Sequence, residues 1–220
     1  MKREVIFTED GSTSIHLPEW GESYHSKHGA IQEANYVFIK NGLLLCKKQS
    51  VSILEIGFGT GLNAFMTLIE SEKTKQNIDY VGVEGFPVSD EEISQMNYPS
   101  QLNVGSYVGF FSQIHSASWE KKQQITSFFG LTKRKQLFTE IQDENQFDLI
   151  YFDVFGYRVQ PELWSVEIFK KMYKSLRING IIVTYACRRP IINAMLEAGF
   201  RIEKLAGPPG KREMLRGFKG

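Results

Sequence analysis

The chain has 220 residues, a formal net charge of +1, 42% hydrophobic residues, 16 Phe and 9 Tyr. That length and aromatic content suit a folded unit with a sizeable core and exclude an intrinsically disordered protein. The near-neutral balance excludes a uniformly basic nucleic-acid coat while leaving room for a local basic patch.

In chain order, the opening MKREVIFTEDGS lacks the apolar core of a signal peptide. No apolar run is long enough to span a bilayer, so a soluble cytoplasmic protein without membrane contact is expected. Residues 3–17 read as a hairpin, with Val5 and Phe7 alternating with polar residues and Asp10-Gly11 as the turn. Tyr24, His25, Ser26, Lys27, His28 and Gly29 form a polar cluster before an expected helix that closes at Asn41-Gly42. The two cysteines, Cys46 and Cys187, are far apart and outside any CxxC pair, so neither zinc nor redox chemistry is indicated. His25 and His28 have no third ligand in sight, and no metal is expected.

From Val51 the rhythm becomes strand, helix, strand, helix. VSILEI (51–56) is β-rich, residues 61–72 carry apolar positions at helical spacing, and IDYVGVE (78–84) is a second strand. Residues 88–96 suit a helix, 97–120 give no clear pattern, and 124–141 suit a strand or hairpin near the basic run LTKRKQ. FDLIYFD (147–153) is a buried strand, Pro161 opens a helix that ends at Asn179-Gly180, and IIVTYA (181–186) is the next strand. A helix over 190–198 and an antiparallel pair around GPPGK close the chain. The expected fold is α/β, a mainly parallel sheet with an antiparallel carboxy-terminal hairpin. The division reads as 1–47, a small β/α extension, and 48–220, the main domain.

LEIGFGTGLN places Gly57, Gly59 and Gly61 in the first strand-to-helix turn, where a ligand can approach the main chain and the helix start favours an anion. The pattern lacks the last glycine of a dinucleotide fingerprint. Glu55, just before the glycines, suits a ligand ammonium, and Glu84, at the end of the second strand, suits a ribose diol. Ammonium, carboxylate and ribose together describe S-adenosylmethionine better than NAD. Asp153 follows a buried strand at the same sheet edge. An alkylamine, with a pKa near ~10, arrives as ammonium, and a carboxylate there can orient it and take its proton. Phe155 beside it suits stacking on a base.

The glycine stretch, FDLIYFDVFG…QPELW and GPPGKREMLRG, in this order, resemble the transfer-RNA 5-methylaminomethyl-2-thiouridine methyltransferases. GESYHSKHGAIQEANYVFI and EGFP (84–87) fit the same family, and the likeness thins over 97–141. The resemblance implies a Rossmann-like methyltransferase fold and methyl transfer from S-adenosylmethionine to the 5-aminomethyl group of the wobble uridine. It implies a methyltransferase standing alone, without the FAD-dependent oxidase of bifunctional relatives, so other modification enzymes would supply the aminomethyl group on the same transfer RNA. By motif match, Glu55, Gly57, Phe58, Gly59, Thr60, Gly61 and Asn63 would hold the cofactor together with Glu84, Gly85 and Phe86. Asp153 would be catalytic, and Tyr24, His25, Phe155, Lys211 and Arg212 would meet the anticodon stem-loop. Further phosphate contacts are expected from Lys133, Arg134 and Lys135, from Arg188 and Arg189, and from Arg216. Relatives carry a Gly-Asp pair near the adenine, and the corresponding region here, KRKQLFTEIQ, has none. The competing readings are a methyl- or aminopropyltransferase acting on a small amine and a catalytically silent binding module.

Overall fold

The computed structural model describes residues 2–220. The amino-terminal hairpin forms as β1 (Glu4–Phe7) and β2 (Thr13–Leu17), and β3 (Glu22–Ser23) completes a small antiparallel sheet. Asp10 builds its turn by accepting from the Ser12 N–H (3.0 Å) and the Thr8 hydroxyl (2.8 Å). α1 (Ala30–Ala34) then continues as a wider π-helical stretch over Asn35–Lys40.

The alternating part runs β4 (Ser50–Ile56), α2 (Leu62–Thr74), β5 (Asn77–Glu84), α3 (Asp90–Ser94), α4 (Tyr98–Gln101) and α5 (Val108–Ser116). It continues with β6 (Lys122–Thr126), β7 (Phe129–Lys135), β8 (Phe147–Phe152), α6 (Val166–Ser175), β9 (Leu176–Thr184), α7 (Arg189–Glu197), β10 (Arg201–Ala206) and β11 (Glu213–Phe218). The eight strands lie in the order β10-β11-β9-β8-β4-β5-β7-β6. The central five are parallel, and antiparallel pairs border both edges. The expected α/β sheet and its closing hairpin are present, and β6–β7 adds a second hairpin on the opposite edge.

Three elements differ from expectation. Residues 161–164 form a separate 3-10 turn, because Ser165 starts a new helix by accepting from the Ile168 N–H (3.4 Å). β9 begins at Leu176, so Asn179, in left-handed conformation, and Gly180 lie within an irregular strand and not at a helix end. The stretch without a clear pattern folds as α4 and α5, and buries Tyr98, Phe111 and Ile114 in the core beside α2.

Side chains alternate across β4. Ile53 belongs to the core shared with α1, α2 and α5, whereas Leu54 and Ile56 belong to the core shared with α6 and α7. From β4 the chain moves outward to β5 and β7, then returns to the other side as β8. That reversal opens a crevice beyond the carboxyl ends of β4 and β8. Among the described residues no helix is long and apolar enough to cross a membrane, and no group of three or more His, Cys, Asp or Glu could hold a metal ion.

Candidate active site

The glycine turn is tied to both neighbours of β4. Gly57 and Phe58 donate their N–H groups to the Val83 carbonyl (3.0 and 3.1 Å), and the Asp153 N–H donates to the Ile56 carbonyl (2.9 Å). Gly57 has φ 91°, and a Cβ there would overlap the Asp153 carbonyl oxygen. Gly59 has φ 48°, and its missing Cβ leaves room for the Tyr24 ring. Part of the demand for glycine is therefore internal, since the end of β8 and an aromatic ring from the amino-terminal extension already press on this turn.

A cavity of about 880 Å³ opens beyond this edge of the sheet. Its wall includes Gly57, Gly59, Glu84, Gly85, Phe86, Asp153 and Phe155. Glu84 accepts from the Gly59 N–H (3.0 Å) and the Phe86 N–H (2.8 Å), which fixes its carboxylate at the end of β5. Leu137, Phe138 and Thr139, just past β7, supply a largely apolar wall. Arg3, Trp20 and Tyr24 reach the cavity from the amino-terminal extension. The Arg3 guanidinium donates to the Phe86 carbonyl (2.9 Å) and pairs with Glu92 (3.2 Å). No local pattern marks Arg3 or Trp20, whereas a position directly after a strand was a usable signal for residues 137–139.

Asp153 is held by the Asn63 amide, whose Nδ2 donates to Asp153 Oδ2 (2.9 Å) and to Glu55 Oε1 (2.9 Å). Burial, reinforced by the nearby Glu33 charge, pushes the Asp153 carboxyl up to about 7, against the opposing pull of Asn63 and Lys211. The loop after it is pinned: Tyr185 donates its hydroxyl to the Val154 carbonyl (2.8 Å) and Trp164 its indole N–H to the Phe155 carbonyl (2.8 Å). The Phe155 ring meets Trp20 and Tyr24 edge-on, with centroids 5.4 and 5.1 Å apart.

Five expected cofactor residues stand behind the wall. Glu55 is 0% exposed and reaches the site only through Asn63, because strand alternation turns it toward α2 and not into the cavity. Phe58 is buried against Gly82, Thr60 accepts from the Tyr98 hydroxyl (2.9 Å), and Gly61 adjoins His115. Asn63 is buried between the two acids.

A second cavity, about 610 Å³, abuts the first and shares Ser23, Tyr24 and Tyr185 with it. Five cations line it, Lys27, Arg158, Arg188, Lys211 and Arg212, against three carboxylates, Glu22, Glu33 and Glu213. In the first cavity the balance among the described residues reverses, with Glu84, Glu92 and Asp153 against Arg3. Lys211 pairs with Glu33 and lies 3.7 Å from the centre of the Tyr185 ring. His25 faces the second cavity, shares a hydrogen bond with the Ser14 hydroxyl (3.0 Å), and is pushed down to about 4 by burial, so it is neutral there.

Of the other expected phosphate contacts, Lys133 is 2% exposed, because it alternates inward on β7. Its Nζ donates to the His115 carbonyl, and burial brings its ammonium down to about 8. Arg134 pairs with Asp143 (2.8 Å) and Arg216 with Glu203 (2.8 Å). Arg188 opens onto the second cavity, whereas Arg189 and Lys135 are exposed outside both.

The donor set fits S-adenosylmethionine. The cavity is acidic, which suits a sulfonium and an ammonium and disfavours a pyrophosphate. It also offers a fixed carboxylate for a diol and an apolar wall for a flat ring.

Comparison with known proteins agrees. The proteins named tRNA 5-methylaminomethyl-2-thiouridine biosynthesis bifunctional protein MnmC from Polaromonas naphthalenivorans and Nitrosospira multiformis are 27% and 26% identical, over 99% and 92% of this chain. The chain spans only 36% and 35% of their lengths. The crystal structure of MNMC2 from Aquifex aeolicus superposes with a TM-score of 0.75 at 22% identity, over 98% of this chain and 70% of that one. Spermidine synthase from Thermotoga maritima superposes at 0.60 with 14% identity, over 99% and 69%. A family profile described as S-adenosyl-L-methionine-dependent methyltransferase matches residues 103–220. With more than half its length inside that match, and a cavity of the matching chemistry at the switch point, the chain belongs to the S-adenosyl-L-methionine-dependent methyltransferases.

Proposed function

We propose that the chain methylates the 5-aminomethyl nitrogen of the wobble (2-thio)uridine of a transfer RNA, giving 5-methylaminomethyl-(2-thio)uridine. The observation that carries this reading is the change of charge sign across the shared wall. An acidic cavity containing Asp153 abuts a cationic one suited to RNA phosphates. The names of the relatives support the same substrate. On this reading other modification enzymes first install the aminomethyl group on the same transfer RNA.

Bound S-adenosylmethionine supplies an electrophilic methyl group on its sulfonium. Glu84 would hold its ribose, and the glycine turn, through Gly57 and Gly59, would border its methionyl end. Leu137 and Phe138 would cover the adenine. The wobble uridine would enter through the second cavity, its base against the Tyr24 and Phe155 rings, with Lys27, Arg188, Lys211 and Arg212 facing the anticodon phosphates. Ionised Asp153 pairs with the incoming ammonium and orients it. Burial has already raised the proton affinity of Asp153, and loss of water around the amine as the substrate seats lowers that of the ammonium. The two pKa values converge, and the proton moves to Asp153 Oδ, freeing the nitrogen lone pair.

The acidic first cavity favours one competing reading, transfer to a small polyamine. Incubation with labelled S-adenosylmethionine separates the two. Label in transfer RNA from cells lacking the modification, and none in RNA already modified, is expected. Label in polyamines alone would replace the proposal, and transfer to neither would overturn it.

A further inference from the structure

We propose that Glu55 is a resident neutral acid that locks the amide of Asn63 in the orientation holding Asp153, and so acts as a positioning residue and not as a ligand of the cofactor's ammonium group. Asn63 Nδ2 donates to both Glu55 Oε1 and Asp153 Oδ2 at 2.9 Å, which uses both amide hydrogens. Rotating the amide would set its oxygen against the Asp153 carboxylate, so this is the orientation that works. It leaves two orphans: Asn63 Oδ1 and Glu55 Oε2 are both buried acceptors without a hydrogen-bond partner. A single proton on Glu55 Oε2 satisfies both by donating to Asn63 Oδ1, and closes an acid–amide ring with the bond from Nδ2 to Oε1.

The surroundings support the neutral form. Asp153, Glu84 and the phenols of Tyr80 and Tyr151 face Glu55, and none of them is a cation. The Tyr80 phenol is turned toward Glu55 as a second donor but stays beyond ordinary hydrogen-bond length, so it offsets little of the burial cost. An ionised Glu55 would be a third negative charge with one short hydrogen bond, from Asn63, in a place water does not reach. Burial accordingly drives its carboxyl well above the ordinary value.

The consequence for turnover rests on the role proposed above for Asp153, whereas the spectroscopic and binding measurements do not. Glutamine presents the same acceptor and donor as a protonated glutamate. Glu55→Gln is therefore expected to keep cofactor affinity within about twofold and to leave the pH–kcat profile in place. Glu55→Ala frees the Asn63 amide and is expected to move the acid limb of that profile upward by about one unit. In the cofactor-free protein at pH 8, the infrared difference between wild type and Glu55→Gln is expected to contain the carbonyl band of a protonated carboxylic acid that shifts in D2O. If Glu55→Ala fails to fold, the glutamine variant and the infrared band still decide. A loss of cofactor affinity of about tenfold or more in Glu55→Gln, or no such band at pH 8, would overturn the proposal.

Discussion

Replacing Asp153 with Asn should make the cofactor-free protein more stable and inactive in one step. The side chain keeps its shape, and its oxygen can still accept from Asn63 Nδ2. What is lost is a buried negative charge. In the folded protein the Asp153 carboxyl sits at about 7 against an ordinary 3.8, with burial as the main cause. Between those values the folded state binds more protons than the unfolded state, so stability falls as pH rises from about 4 to about 7 and stays at the lower level above. Each unit is worth about 1.4 kcal/mol, which sets a ceiling of about 4 kcal/mol. Asp153 lines an open cavity and keeps some contact with water, so about 1–2 kcal/mol is the realistic gain at pH 8. For a chain of this length that raises Tm by roughly 2–8 °C. Thermal melts of wild type and Asp153→Asn from pH 4.5 to 8.5 should start close together and diverge up to about pH 7. Turnover should fall by about 10²-fold or more. A Tm difference that does not vary with pH would refute the account of the buried charge, and wild-type turnover would remove Asp153 from the chemistry.

Glu84→Ala should weaken S-adenosylmethionine binding by about 1.5–3 kcal/mol in calorimetry, the cost of losing a hydrogen bond to a charged group, without changing affinity for RNA. Lys27, Arg188 and Arg212 line the second cavity. Each Ala substitution there should weaken transfer-RNA binding and lower the slope of log K against log salt by about 1, while cofactor titrations stay unchanged. Gly57→Ala should lower stability by about 2 kcal/mol or more in denaturant melts, because the added methyl would meet the Asp153 carbonyl at φ 91°. Lys133→Ala should leave the salt slope of RNA binding unchanged, because that ammonium is spent inside the protein on the His115 carbonyl.

Outside residues 97–141, the alternation of strands and helices, the parallel centre of the sheet, the glycine turn and the placing of Glu84 and Asp153 at one sheet edge were legible in the sequence. They rest on local causes: hydrophobic period, turn chemistry, and the rule that residues following parallel strands share an edge. The tertiary structure alone decided which face each residue meets. Alternation says that Glu55 and Leu54 point oppositely, but only the seating of α2 on one face shows that Glu55 meets Asn63 and not the cavity. The same applies to LTKRKQ, where Lys133 and Lys135 share a face of β7 by alternation, yet Lys133 is buried and Lys135, at the strand end, is exposed. The walls contributed by Arg3, Trp20 and Leu137, and the opposite charge of the two cavities, bring together residues distant in sequence. No local preference encodes such contacts, because they depend on the order in which strands pair and on what that order leaves for the extension to cover.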